Sequence, residues 1–389
     1  MKKIPGLLLC TAICLFISSC TETGKKETAT SVANPEFLHR SIKRLNDVVI
    51  YEIFSPPVAS RIYAYASLSA YEAMRWSDTT YPSLAAQFNG FPAMPSPAKD
   101  QSYDFTVAAV KAMFNITQRL TFTKDSSRIT QDEILKELKE TGIDKKTFER
   151  SLQFGDTIAA TIWQRAVKDH YKETRGKERY TPKNVPGKWK NTPPDYLDAV
   201  EPFWREMVPL IMDSSSQFKP VAPPPYSLKK ESTFFKEMTE VYETSKTLTA
   251  EQKEIARFWD DNPAAIEHSG HMMFVNKKAS PGGHWINITA IACKSKNFSA
   301  VASAQAYAMV AATMFDGFIS CWDEKYRSEY VRPVTAINES IDKNWQPMLQ
   351  TPPFPEYTSG HSVVSSSIAT TLTRIFGDNF SFTDDYELP

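Results

Sequence analysis

Ser299-Ala-Val-Ala-Ser-Ala-Gln-Ala-Tyr-Ala-Met-Val-Ala-Ala-Thr-Met-Phe-Asp-Gly-Phe-Ile-Ser-Cys-Trp322 is the stretch whose reading decides the fold. Apolar residues occupy nearly every face of the helix this run predicts, and a helix apolar all round is one buried on all sides. Gln305 and Asp316 argue against a membrane span, where such groups are costly. A buried helix needs others packed around it, and the flanking sequence supplies them. Residues 36–76 read as a helix, a break at Pro56-Pro57 and a second helix. Ile42, Leu45, Val49 and Ile53 keep the helical period, and Val58 to Trp76 is rich in Ala, Ser and Tyr, which lets helices approach closely. Further helices are expected over 103–117, 130–140, 146–172, 232–244, 249–260, 262–275 and 284–294. Alternating β-branched runs are scarce, so the expected fold class is all-α, a helical bundle. Between the helices, residues 181–226 carry Pro193-Pro194, Pro223-Pro224-Pro225, Trp189 and Trp204. A Pro-rich segment with large aromatics is expected to wrap the surface of one domain, 36–389, as an ordered excursion.

The 389 residues are 42% hydrophobic and 23% charged, an ordinary globular balance, and 45 Lys+Arg offset 45 Asp+Glu. That neutrality gives no footprint for a nucleic-acid partner. At the N-terminus, Lys2 and Lys3 precede an apolar run from Leu7 to Ile17, too short to span a bilayer but suited to a secretory signal. The run ends in Ile17-Ser18-Ser19-Cys20, which resembles the bacterial lipobox. That resemblance implies a signal peptide over 1–20, a lipid on Cys20, and a cell-envelope lipoprotein, periplasmic or outer-membrane associated, held to the membrane by its lipid alone. Residues 21–35 are a polar tether with too little apolar surface to fold. Cys10 and Cys14 leave with the signal, and Cys293 and Cys321 are expected as free, buried thiols.

Two elements after the central helix carry chemistry. Lys325 and Arg332 are seven apart, two helical turns, which would set them about 10 Å apart on one helix face, with Pro333 ending the helix. Phe354-Pro-Glu-Tyr-Thr-Ser-Gly-His361 then opens an amphipathic helix with Val364, Ile368, Leu372 and Ile375 on one stripe. Ser359 and Gly360 at that helix start offer a hydroxyl, backbone N–H groups and the helix dipole to an anion. Glycine lets the backbone come close, and His361 is the titratable neighbour able to pass a proton to a bound oxygen. Alone, Lys325 and Arg332 would read as a solvated helix face; beside Ser-Gly-His they read as a cradle for a tetrahedral oxyanion.

Lys-x6-Arg-Pro followed by Ser-Gly-His resembles the first two signature motifs of the type 2 phosphatidic acid phosphatase and vanadium-dependent haloperoxidase superfamily. Phe54-Ser-Pro-Pro-Val-Ala-Ser-Arg-Ile-Tyr63, Phe258-Trp-Asp-Asp-Asn-Pro263 and Gly283-His-Trp285 look like its bacterial haloperoxidase-related branch, so the resemblance runs from about Asn46 onward. It implies that Lys325, Arg332, Ser359 and Gly360 bind the equatorial oxygens of vanadate or phosphate. His361 is then the acid/base for the apical oxygen, and Lys325 a catalytic partner that polarises peroxide. Vanadate is the implied cofactor, phosphate a competing ligand, and peroxide and halide, or a phosphate ester, the small-molecule substrates. Thr358 stands where proline is common in the family. The third motif, Ser-Arg-x5-His, which supplies the vanadium-ligating or phosphorus-attacking histidine, does not occur. Ser60-Arg61 and Ser127-Arg128 lack a histidine at the right spacing. No metal ligand is therefore assigned within the chain. The expectation is a truncated reading frame that binds oxyanions poorly and catalyses little.

Three functions stay open at this stage: a haloperoxidase-like enzyme, an acid phosphatase working through a phosphohistidine, and an inactive envelope lipoprotein. The remaining candidates read as structural. His268 and His271, three apart on an expected helix, have no evident third ligand. His284, after two glycines, reads as a helix-start residue. Asp316 reads as a buried acid satisfied by Arg61 or another base.

Overall fold

The computed structural model describes residues 34–384 apart from Ala264 and Gly270. The leader, Cys20 and the tether as far as residue 33 lie outside the described residues. In chain order the α-helices are α1 (Pro35–Tyr51), α2 (Pro56–Met74), α3 (Phe105–Leu120), α4 (Lys124–Glu140), α5 (Lys145–Ala166) and the short α6 (Tyr171–Arg175). Then follow α7 (Thr233–Thr247), α8 (Ala250–Phe258), the strands β1 (Ala265–Ser269) and β2 (Met272–Asn276), α9 (Pro281–Ser295), α10 (Ala300–Ser328), α11 (Pro333–Ser340) and α12 (Gly360–Phe376). Their starts follow local chemistry: Asp104, Asp144 and Ser232 each accept a backbone N–H from the first turn they precede, and Thr249 with Gln252 forms a reciprocal capping box.

The all-α expectation holds, built around α2 and α10. Every residue of α2 from Pro57 to Met74 is buried, and α10 is buried along most of its 29 residues. Alanines and serines on both helices keep the two axes close. α3 packs on α2 and α5 on α3, while α9 and α12 lie against α10. Where α5 crosses α3, Gly155 permits the approach: a Cβ there would sit 2.5 Å from the Ala108 carbonyl oxygen. No helix among the described residues is long and apolar enough to cross a membrane.

One expected helix is not a helix. Residues 262–275 contain an antiparallel hairpin, with Ala265 opposite Asn276 and Ser269 opposite Met272. The sequence between that last pair is Gly-His, a two-residue hairpin signal, and Met-Met-Phe-Val favours a strand. His268 and His271 therefore never share a helix face; His271 is in the turn and exposed. Among the described residues no group of three or more His, Cys, Asp or Glu side chains is placed to hold a metal.

The Pro-rich excursion is strapped onto the end of α10. Trp189 and Trp204 are buried in it. Asp316, buried in α10, accepts the N–H groups of Leu210, Ile211 and Met212 at 2.7, 2.7 and 2.8 Å. Arg61 is not its partner, contrary to the sequence reading, because that guanidinium is taken by Asp169 at 2.6 Å. The nearby guanidinium of Arg165 instead donates to the Val208 and Pro209 carbonyls of the same turn, at 3.0 and 3.1 Å. Burial raises the Asp316 pKa, against the pull of those three amides. Cys293 and Cys321 are free and buried, as expected.

Candidate functional site

The structure corrects the geometry of the Lys325 and Arg332 pair. α10 stops at Ser328, and Glu329 takes a left-handed conformation (φ 49°) as its C-cap. Its strain is offset by Glu329 accepting from Tyr180 Oη at 3.0 Å and Lys183 Nζ at 2.6 Å. Arg332 is the N-cap position of α11, extended at φ −78°, ψ 144°, and Pro333 begins a helix rather than ending one. Proline's fixed φ and missing N–H suit the first helical position, so the same Arg-Pro pair that reads as a stop is here a start. The two cations thus come from different elements, joined by a short turn.

They nevertheless converge, on the connector that leads into α12. Lys325 Nζ donates to the carbonyl oxygens of Pro355 at 2.8 Å and Glu356 at 3.0 Å. Arg332 Nε donates to the Phe354 carbonyl at 2.7 Å, and Nη1 to Glu356 Oε2 at 2.6 Å. The Phe354 ring lies beneath both, 4.8 Å from Lys325 Nζ and 4.8 Å from the guanidinium carbon of Arg332. Trp322 supports that ring at a centroid distance of 5.0 Å. The excursion closes the outside: Val200 bonds Pro353, and Tyr357 Oη donates to the Val221 carbonyl at 2.8 Å.

Both cations are buried, Lys325 to 1% and Arg332 to 8% exposure. Desolvation lowers the Lys325 pKa to about 8, with the neighbouring Arg332 charge adding to the fall. Arg332 Nη2 is buried and has no hydrogen-bond partner among the described residues. A buried donor left without an acceptor costs about 1–3 kcal/mol, more when charged.

The Ser-Gly-His element is placed as its sequence predicts. Ser359 is the N-cap of α12, its Oγ accepting from the Ser362 N–H at 3.2 Å, and Val364 and Ile368 are its buried face. The helix start sits over the same end of α10: Cys321 Sγ lies 3.5 Å from Thr358 Oγ1, and Trp322 lies beneath Gly360. Ser359 and His361 are exposed. A Cβ built on Gly360 meets nothing nearer than the Trp322 ring at 3.8 Å. The protein's own packing therefore leaves room for a Cβ there. Gly360 and His361 also precede the first intrahelical bonds, so their N–H groups point outward from a positive helix end.

The acceptor-free guanidinium nitrogen, the buried ammonium and the helix start fit a small tetrahedral oxyanion such as vanadate or phosphate. Sequence reasoning missed Glu356, Phe354 and Trp322. Glu356 stood inside the motif it quoted, but nothing in one sequence ties that side chain to Arg332. Two stretches without an assigned role explain one another structurally. His284, buried in the first turn of α9, stacks on Trp259 at 5.3 Å, and its Nδ1 is 3.3 Å from Asp261 while Nε2 is 2.7 Å from Asp384. Burial would lower its pKa, but the two carboxylates together raise it. His284 is thus the helix-start residue its sequence suggested, clamped between acids.

Fold and site together define a helical bundle with a buried pair of cations at the end of its central helix. Residues 305–388 match the VCPO second helical-bundle domain. A structure titled as the first bacterial vanadium-dependent iodoperoxidase is 43% identical over 91% of this chain and 84% of its own, with a TM-score of 0.84. Apo and holo forms of a bacterial vanadium-dependent chloroperoxidase align at 16% and 18% identity. They cover 83% and 84% of this chain and 78% and 77% of theirs, with TM-scores of 0.58 and 0.56, a likeness of fold alone. No curated protein sequence matches. The chain belongs to the vanadium-dependent haloperoxidase family.

Proposed function

We propose that this chain binds vanadate in the cradle of Lys325, Arg332, Ser359 and Gly360 and uses hydrogen peroxide to oxidise a halide, iodide foremost. The observation that carries the reading is the buried Arg332 Nη2 with no acceptor among the described residues, beside a buried ammonium and a helix start. Iodide is chosen because the 43% identical relative is titled an iodoperoxidase. Bound vanadate supplies Lewis-acid activation of peroxide. The chain's own residues do the rest. Lys325 and Arg332 neutralise the anion in a site where water screens little. The Ser359 hydroxyl and the Gly360 N–H orient its oxygens. His361, exposed at the mouth of the helix, moves a proton to or from the oxygen above.

The test is triiodide formation from iodide and peroxide, with and without orthovanadate, beside hydrolysis of p-nitrophenyl phosphate. Vanadate-dependent triiodide formation supports the reading. Hydrolysis without vanadate, and no peroxidation, transfers the cradle to phosphate-ester chemistry. Inertness in both assays leaves an envelope lipoprotein without catalysis. We further read residues 1–20 as a lipoprotein signal with Cys20 acylated, placing the chain on the periplasmic or outer-membrane side of the envelope. Labelling with radioactive palmitate in an expressing bacterium, lost in Cys20→Ala, is the expected result.

A further inference from the structure

Arg332 presents three nitrogens, and the connector before α12 claims two of them. Nε is held by the Phe354 carbonyl and Nη1 by the Glu356 carboxylate, leaving Nη2 buried without an acceptor. Glu356 does more than meet Arg332. Its backbone N–H donates to the Tyr330 carbonyl at 3.1 Å, in the turn between α10 and α11, and its carbonyl accepts from Lys325 Nζ at 3.0 Å. One residue therefore touches both cradle cations and the turn that joins their helices.

We propose that Glu356 is the positioning residue of the cradle: it pins Nη1 so that the Nη2 edge of Arg332 is presented to the oxyanion. The inference rests on the proposed oxyanion-binding role of Arg332. It carries a sign that distinguishes it from simple electrostatics. A carboxylate beside an anion site repels the anion, so if charge alone mattered, removing it would tighten binding. The Glu356 side chain is 38% exposed, which screens that repulsion. Without Glu356, only the Phe354 carbonyl on Nε and the Phe354 ring hold the guanidinium, and Nη1 has no bond to fix where its plane points. A planar guanidinium donates along fixed directions, so losing its orientation loses the bond to the anion.

The experiment measures orthovanadate binding to the full chain by calorimetry for the wild type, Glu356→Ala and Glu356→Gln. The Arg332 Nε–H signal is followed by NMR in the same proteins without vanadate, assigned by its loss in Arg332→Lys. Expected are an affinity about tenfold weaker in Glu356→Ala, rescue to within about threefold in Glu356→Gln, whose amide oxygen still accepts from Nη1, and a protected Nε–H signal that broadens only in Glu356→Ala. Glu356→Ala binding vanadate as tightly as the wild type, or more tightly, overturns the proposal, as does an Nε–H signal unchanged by the substitution. A folded wild type that binds no vanadate overturns the functional reading instead, and the Nε–H signal still decides whether Glu356 holds the guanidinium.

Discussion

Replacing Lys325 by Met tests how the core carries its charge, because the titration of this lysine is itself a stability measurement. Its pKa falls from 10.5 to about 8, first through burial and then through Arg332. At about 1.4 kcal/mol per pH unit, that gap makes the buried ammonium cost about 3 kcal/mol at neutral pH. Between pH 8 and 10.5 the unfolded chain holds a proton that the folded chain has released, so stability rises with pH through that window. A paired carboxylate, whose pKa also falls on folding, gives a rise of the same sign but in the acid range. Methionine has similar bulk and no titration. The two hydrogen bonds it forfeits, to Pro355 and Glu356, lower stability by an amount that changes little while the wild-type lysine stays protonated. We therefore expect the unfolding free energy of the wild type in urea to gain about 2–3 kcal/mol on Lys325→Met from pH 7 to pH 10. Above pH 10 buried tyrosines such as Tyr326, whose pKa burial raises, oppose the trend. Saturating orthovanadate favours the ammonium and should flatten the rise. A wild-type minus variant difference that stays level from pH 7 to 10 refutes burial as the cause. A rise that persists with vanadate bound refutes the placement of Lys325 against the anion.

His361 is exposed, so His361→Ala should leave unfolding free energy within about 0.5 kcal/mol while abolishing vanadate-dependent triiodide formation. Ser359→Ala removes the α12 cap and should lower stability by about 1 kcal/mol, with weaker vanadate binding measured by calorimetry alongside. Asp316→Ala strands three backbone N–H groups of the excursion and should cost about 3–5 kcal/mol in urea unfolding, Asn less because it keeps one acceptor; a cost under 1 kcal/mol would show that the strap is held elsewhere.

Periodicity made most of the bundle legible. The helix read from Ser299 runs six residues beyond Trp322, whereas α1 stops at Tyr51, short of Ile53, and Pro56-Pro57 open α2 rather than end α1. The hairpin escaped because Ile266 and Met273, seven apart, satisfy a helical period, while the signals against it, Gly270-His271 and the run Met272-Met-Phe-Val275, are short. The cradle was legible as residue types but not as geometry. Spacing put Lys325 and Arg332 on one face, whereas Glu329 and Pro333 split them between two helices that the connector then draws together. Asp316 was legible as a satisfied acid, but its partners lie about a hundred residues away on amides that carry no side-chain signature. Glu356 was invisible for the same reason, since its role exists only once the chain has folded back on Arg332.

The most direct measurement is a crystal structure of this chain grown with orthovanadate. The account predicts a tetrahedral oxyanion within hydrogen-bond distance of Arg332 Nη2 and the Gly360 N–H, with Lys325 alongside. An ordered site with those groups in place and no anion between them, or vanadate bound elsewhere on the bundle, would contradict it.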